Sequence, residues 1–340
     1  MPLRHSVFSD QNNFRYDELM LVYAGIDEAG YGPMFGPLCV GASVLVLEEY
    51  DPADGEPEMW SILKHCICKT RRDAKKRIAV NDSKKLKSGS TKKGILHLER
   101  GVLAFLATMQ EYNNFESDDQ LFEAIHCAKS GEPCCAESTP LPYSVDEQIL
   151  KIDAAILRRG LAQANVRCAL FECTSVDAAN YNKRTEHASK AALNFSLAMQ
   201  HVETITKRWK NDHPRIMIDR HGGRIQYRND LQLCWPHAHI QVLAETTEMS
   251  RYRLEIDGAF STITFASKSD ERHMPVALAS MIAKYTRELM MVRFNKYFVD
   301  QLPELKPTAG YVQDGRRFLK EIEPFLAKKG IKRGLLVRSS

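Results

Sequence analysis

The chain has 340 residues, 44% of them hydrophobic, with a formal charge of +4 and a pI near 8.5. That content can bury the core of one large domain, or of one domain with a small appendage, and it excludes a disordered or fibrous chain. The mild basic excess permits a polyanionic partner without requiring one.

No basic segment followed by an apolar run opens the sequence, and the longest apolar stretch, around Leu38 to Leu47, is too short to span a bilayer. The expectation is a soluble, cytoplasmic protein with no membrane partner. Nine cysteines include the clusters Cys66/Cys68 and Cys127/Cys134/Cys135 but no Cys-x-x-Cys pair, so they read as reduced thiols rather than a zinc site.

Residues 1–20 are polar and irregular and read as a lead-in to a domain spanning 21–300. The runs LVYAGID and PLCVGASVLVL predict two neighbouring strands around a Gly/Pro turn; Asp27 and Glu28 end the first, and Gly30-Tyr31-Gly32 follows. From Lys69 to Lys93 the chain is strongly basic, which suits either a polyanion-binding surface or a solvated charged face. From Glu111 to Glu147 the balance reverses and prolines accumulate, so an acidic insertion is expected over about 111–156.

RCALFECTSV then predicts a strand, ASKAALNFSLAMQHVETITKRW a long amphipathic helix, and RIMIDR a strand ending on Asp219. Strand, helix, strand implies a parallel βαβ unit, whose carboxyl strand ends are where such sheets place ligands. The long 222–266 segment reads as a second insertion. Within it, two β-rich runs flank Asp257-Gly258 as a hairpin, which makes Asp257 a turn residue and delivers the chain to Asp270. A helix is predicted from Val276, and residues 301–340 read as a basic, helical C-terminal region in which Gly330 caps the last helix.

Asp27, Glu28, Asp219 and Asp270 thus lie at or just beyond strand ends. Carboxylate oxygens suit Mg2+ or Mn2+, and two such ions support in-line phosphodiester hydrolysis. Acids gathered at one edge repel one another unless a cation joins them. Single acids at strand ends are also common turn residues, so the pattern leaves both readings open.

Six segments, in order, resemble the signature blocks of the ribonuclease HII (type 2 ribonuclease H) family: GIDEAGYGPMFGPL, NDSKKL, NFSLAMQ, IMID, KSDERHMPVALASMIAKYTRE and AGY. The resemblance implies an α/β ribonuclease H-like fold, a central mixed sheet flanked by helices with a helical C-terminal region. It implies endonucleolytic cleavage of the RNA strand of RNA–DNA hybrids, or of DNA containing ribonucleotides, by two divalent ions, leaving 5′-phosphate and 3′-hydroxyl ends. Carried over, the family's metal-binding acids fall on Asp27, Glu28, Asp219 and Asp270, the last placed by its spacing ahead of Ser280.

Gly30, Tyr31 and Gly32 would read a 2′-hydroxyl through backbone groups, Tyr311 would pack on a sugar, and Lys84 and Lys85 would contact phosphates. Lys284 and Arg287 would either face the nucleic-acid backbone or be ordinary surface charges. Glu245, Asp257, Glu271 and Glu288 read as surface or turn acids, and His221 as a loop residue. The chain departs from the family in carrying Tyr31 where arginine is usual, which removes a cationic phosphate contact and bears on the cutting of single embedded ribonucleotides. Two alternatives stand beside this reading: a hybrid-binding protein with weak cleavage, and an unrelated magnesium-dependent phosphodiesterase or exonuclease.

Overall fold

In a computed structural model the described residues are 20–89, 92–109, 115–220 and 222–339. Nearly all of the lead-in, part of the acidic segment (111–114) and His221 lie outside them. The strands are β1 (Met20–Ala29), β2 (Leu38–Glu48), β3 (Ile67–Cys68), β4 (Ile78–Ala79), β5 (Val166–Val176), β6 (Arg215–Asp219), β7 (His239–Glu245), β8 (Met249–Ile256) and β9 (Ala259–Ala266). The helices are α1 (Met59–Ile62), α2 (Ser83–Leu86), α3 (Leu96–Leu106), α4 (Asp118–Ala124), α5 (Glu147–Gln163), α6 (Ala178–Thr185), α7 (Lys190–Arg208), α8 (Arg228–Cys234), α9 (Ser269–Arg272), α10 (Met274–Gln301) and α11 (Val312–Lys329).

Seven strands form one mixed sheet in the order β5-β2-β1-β6-β9-β8-β7. This is the α/β class, a central mixed sheet flanked by helices, that the sequence implied. Strands β1, β6 and β9 run parallel, while β2 is antiparallel to both β1 and β5. β5 and β6 are therefore parallel and joined through α7, as predicted, but β2 and β1 lie between them. The hairpin at Asp257-Gly258 is also present, with φ of 52° and 78° at its two central residues, the left-handed pair that matches strand twist. Among the described residues no helix is long and apolar enough to cross a membrane.

Alternation along β1 divides the core. Leu21 and Tyr23 face α3 and α10, whereas Val22, Ala24 and Ile26 face α7 and α8. A third apolar cluster, built on Phe35, Phe294, Phe298, Phe318 and Ile322, fastens α11 to the far half of α10.

Helix α10 is buried along most of its length because it lies almost in contact with the backbone of β1 and β2. A Cβ on Gly25 would overlap the backbone of Pro275 and Val276, and one on Gly41 would overlap the carbonyl of Ala279. Ala277, Ala279, Ser280 and Ala283 keep the helix slim on this side, and the Ser43 hydroxyl donates to the Pro275 carbonyl at 2.7 Å.

The acidic segment is tied into this helix. The Arg293 guanidinium donates to Asp118, which is fully buried, and to Asp119 at 2.8 Å, while Lys296 pairs with Glu137 at 2.8 Å. Glu99 of α3, also fully buried, accepts from the backbone N–H groups of Tyr143, Ser144 and Val145 and from the Tyr285 hydroxyl. Residues 222–266 supply β7, β8 and β9, so the sheet extends through them.

If the glycine contact sets the spacing of helix and sheet, Gly25→Ala will destabilise the protein by about 3 kcal/mol or more. Gly131→Ala, where a Cβ meets open space, will stay within about 0.5 kcal/mol of the parent. Urea denaturation of both variants checks this; equal midpoints would refute it.

Candidate active site at the carboxyl edge of the sheet

The parallel strands β1, β6 and β9 all point their carboxyl ends the same way, the edge where open α/β sheets bind ligands. Ile26 lies opposite Ile218, so the following residues, Asp27 and Asp219, are neighbours across the β1–β6 pair. Just past β9, the first turn of α9 carries Asp270, and the Ser269 N–H donates to the Asp219 carboxylate at 2.8 Å. Three elements far apart in sequence thereby deliver acids to one edge.

These acids act on one another. Asp27 is only 8% exposed, and its carboxyl is pushed well above the usual range first by burial, then by the charges of Glu28 and Asp219, with Asp270 adding to them; the Ser280 hydroxyl opposes the shift. Asp270 is raised to about 6 by burial and then by Asp82 and Asp219, against the pull of Lys84. For Lys84, burial works against its charge, but Asp82, Asp27, Glu28 and Asp270 outweigh that and raise it.

Among the described residues, no three His, Cys, Asp or Glu side chains already converge as a ready chelate. Four carboxylates sharing one field, with oxygen as the only donor type, fit a hard divalent cation, which binds through few protein carboxylates and keeps positions for water and phosphate.

Sequence reasoning passed over Asp82. It caps α2 by accepting the Lys84 N–H at 2.9 Å, and the Ser83 and Ser280 hydroxyls meet at 3.0 Å, which docks α2 against α10 beside Asp27. The available signal was its place at the head of the NDSKKL block. Lys84 and Lys85 are both exposed, but whereas Lys84 lies in the field of the acids, Lys85 is paired with Glu271 at 3.0 Å.

The Gly30–Gly32 loop follows the acids directly. Gly30 has φ of 84°, and a Cβ there would collide with the Pro37 carbonyl and the Arg287 side chain. Gly32 is exposed, and Tyr31 is half-buried, with the Lys190 ammonium 4.2 Å from its ring centre. Tyr311 is 50% exposed, and the preceding Gly310 carbonyl accepts the N–H groups of Met34 and Phe35. Arg287 joins the two segments by donating to the carbonyls of Phe35 at 3.0 Å and Ala309 at 3.1 Å.

Three expectations need correction here. Arg287 is 1% exposed and Lys284 is buried, so neither is a surface charge. Glu288 is no surface acid either: it bonds Lys87 and Lys284, each at 3.0 Å, and although burial works to raise it, Lys284, Lys87 and Arg287 hold it below the usual carboxylate range. Glu245, half-buried at the end of β7, accepts the Tyr252 hydroxyl at 2.6 Å, a bond compatible with its reading as a surface or turn acid.

A family model described as Ribonuclease HII matches residues 225–321, a segment that contains Asp270, all of α10 and Tyr311. No match is found among curated proteins. Similar solved structures include the PCNA:RNase HII complex from Archaeoglobus fulgidus, at 16% identity and a TM-score of 0.39, with 93% of each chain covered. The ribonuclease H2 from Pyrococcus horikoshii OT3 aligns at 14% identity and a TM-score of 0.37, covering 93% of this chain and 92% of that one. Bst-RNase HIII in complex with Mn2+ aligns at 16% identity and a TM-score of 0.39, covering 94% of this chain and 66% of that one.

Because Asp27 is buried among like charges, Asp27→Asn will stabilise the metal-free protein by about 1–2 kcal/mol. Added Mg2+ will then raise the melting temperature of the parent more than that of the variant. Thermal unfolding in chelator and in Mg2+ measures both; a variant no more stable than the parent in chelator would show that the acids do not strain one another.

Proposed function

We propose that this ribonuclease HII-like chain, a ribonuclease H-type endoribonuclease, hydrolyses internal phosphodiester bonds in the RNA strand of RNA–DNA hybrids with Mg2+ or Mn2+, leaving 5′-phosphate and 3′-hydroxyl ends. The observation that carries the reading is the delivery of Asp27, Glu28, Asp219 and Asp270 to one sheet edge, directly followed in the chain by the glycine loop at Gly30 and Gly32. Asp27, Glu28, Asp219 and Asp270 would hold the divalent ions, which when bound acidify an attacking water and offset charge on the leaving 3′-oxygen.

The chain's own groups supply the rest. Gly30 and Gly32 let backbone N–H and C=O groups approach a ribose 2′-hydroxyl, the group that separates RNA from DNA. The exposed ring of Tyr311 would lie on a sugar next to the cut. Lys84, already among the acids, steadies the charge of the phosphate beside them, and Lys85 meets a phosphate further out in exchange for Glu271. Buried Arg287 positions the glycine loop relative to Tyr311 without touching substrate.

Three end-labelled duplexes test this: RNA–DNA hybrid, DNA with one ribonucleotide, and all-DNA, each in Mg2+ and in Mn2+. Internal cutting of the hybrid, lost with chelator and with Asp27→Asn, is the expected result. Binding of hybrid without cutting in either metal would identify a binding protein, and cutting only from free ends would identify an exonuclease.

A further inference from the structure

The Gly30–Gly32 loop carries tyrosine where the resembling family usually has arginine, yet the fold places a cation there from another element. Lys190 is the first residue of the 19-residue helix α7, and its ammonium stands over the Tyr31 ring. A lysine in the first turn of a helix faces the positive end of the helix dipole. Burial and then the charge of Arg338 lower its affinity for a proton, and among the described residues no carboxylate contributes in the other direction.

Arg338 repeats the theme on the same loop. It is 5% exposed, donates to the Pro33 carbonyl, and lies with its guanidinium 4.9 Å from the Tyr181 ring centre; its Nε and Nη1 have no hydrogen-bond partner among the described residues. Burial and the nearby Arg287 bring it down to about 10. Lys190 and Arg338 thus form a positive group packed on aromatic faces. Tyr31 also feels Glu28, whose charge, after burial, raises the phenol, so the ring that carries Lys190 lies in the field of one of the edge acids.

We propose that Lys190, carried on the ring of Tyr31, is the phosphate contact of the glycine loop and engages the nucleic-acid backbone next to the ribose that the loop reads. This rests on the nuclease reading for what the contact serves, though not for whether it exists. An aromatic face is a rigid platform for an ammonium and leaves its N–H groups directed outward, so a tyrosine–lysine pair from two elements does the work of one long cationic side chain. A backbone phosphate would relieve the repulsion between Lys190 and Arg338.

The test uses the full chain and a fluorescent RNA–DNA hybrid, with binding read by anisotropy in chelator over a range of salt. Lys190→Ala, and Lys190→Gln should alanine unfold the helix start, will weaken binding by about tenfold and reduce the slope of log K against log salt by about one. Lys190→Arg will keep the parent slope, and Tyr31→Arg will restore it in the Lys190→Ala background. In steady-state cutting the KM will rise with kcat within about twofold of the parent. An unchanged salt slope in Lys190→Ala, or no recovery on adding Tyr31→Arg, would overturn the proposal. A parent that binds hybrid but cuts none would defeat the nuclease reading and leave the slope to judge Lys190.

Discussion

The near-contact between α10 and the backbones of β1 and β2 is the constraint on which the rest of the molecule depends. It exists because Gly25 and Gly41 present no side chain where the helix crosses, and because the helix answers with alanine and serine. At this separation Ser280 reaches Asp27 and Ser83, so one residue touches both the acidic edge and the element that carries Lys84. One and two turns on, Lys284 and Arg287 are buried, and Arg287 lies under the glycine loop, where a larger residue than Gly30 or Gly310 would displace it. Two thirds of the way along the helix, Arg293 is held by the acidic segment. A single helix therefore locates the acids, the loop and Tyr311 relative to one another.

The treatment of buried charge differs sharply between the interior and the sheet edge. Glu99 receives three backbone N–H groups and a phenol, Asp118 a guanidinium, Asp153 two bonds from Arg100, and Glu288 two lysines. Each of these acids is offset by donors, which is what a stable interior requires. At the ends of β1, β6 and β9 the neighbours include other carboxylates, and the result is to raise Asp27 and Asp270. An arrangement that opposes stability at one edge while satisfying it elsewhere is the mark of a functional site.

The two charge-biased stretches illustrate how composition alone misplaces a segment. The acidic residues after Glu116 do not form one uniformly solvated face: Asp118 and Asp119 hold Arg293, Asp119 also holds Lys129, and Glu137 holds Lys296. The basic stretch likewise divides, with Lys69 over the Trp60 ring, Lys87 on Glu288, Lys85 on Glu271 and Lys84 left facing the acids. Net charge along the chain says little about which of these cations remains available to a polyanion.

What the sequence determined by itself was local or was carried by ordered motifs. The alternation in β1 and β2, the helical period of α7, the Asp257-Gly258 turn and the Gly330 cap each depend on residues within a few positions of one another, so backbone preference and hydrophobic period suffice to find them. The acids Asp27, Glu28 and Asp219 stood out because each ends an apolar strand, whereas Asp270 was singled out by the family resemblance, which sets its distance from Ser280. Only the tertiary structure decided that β2 and β1 separate β5 from β6, that Arg287, Lys284 and Glu288 are interior, that Asp82 bears on Asp270, and that Lys190 stands over Tyr31. Each of these is a contact between segments tens to hundreds of residues apart, and charge, burial and pairing are set by the three-dimensional neighbours that packing supplies.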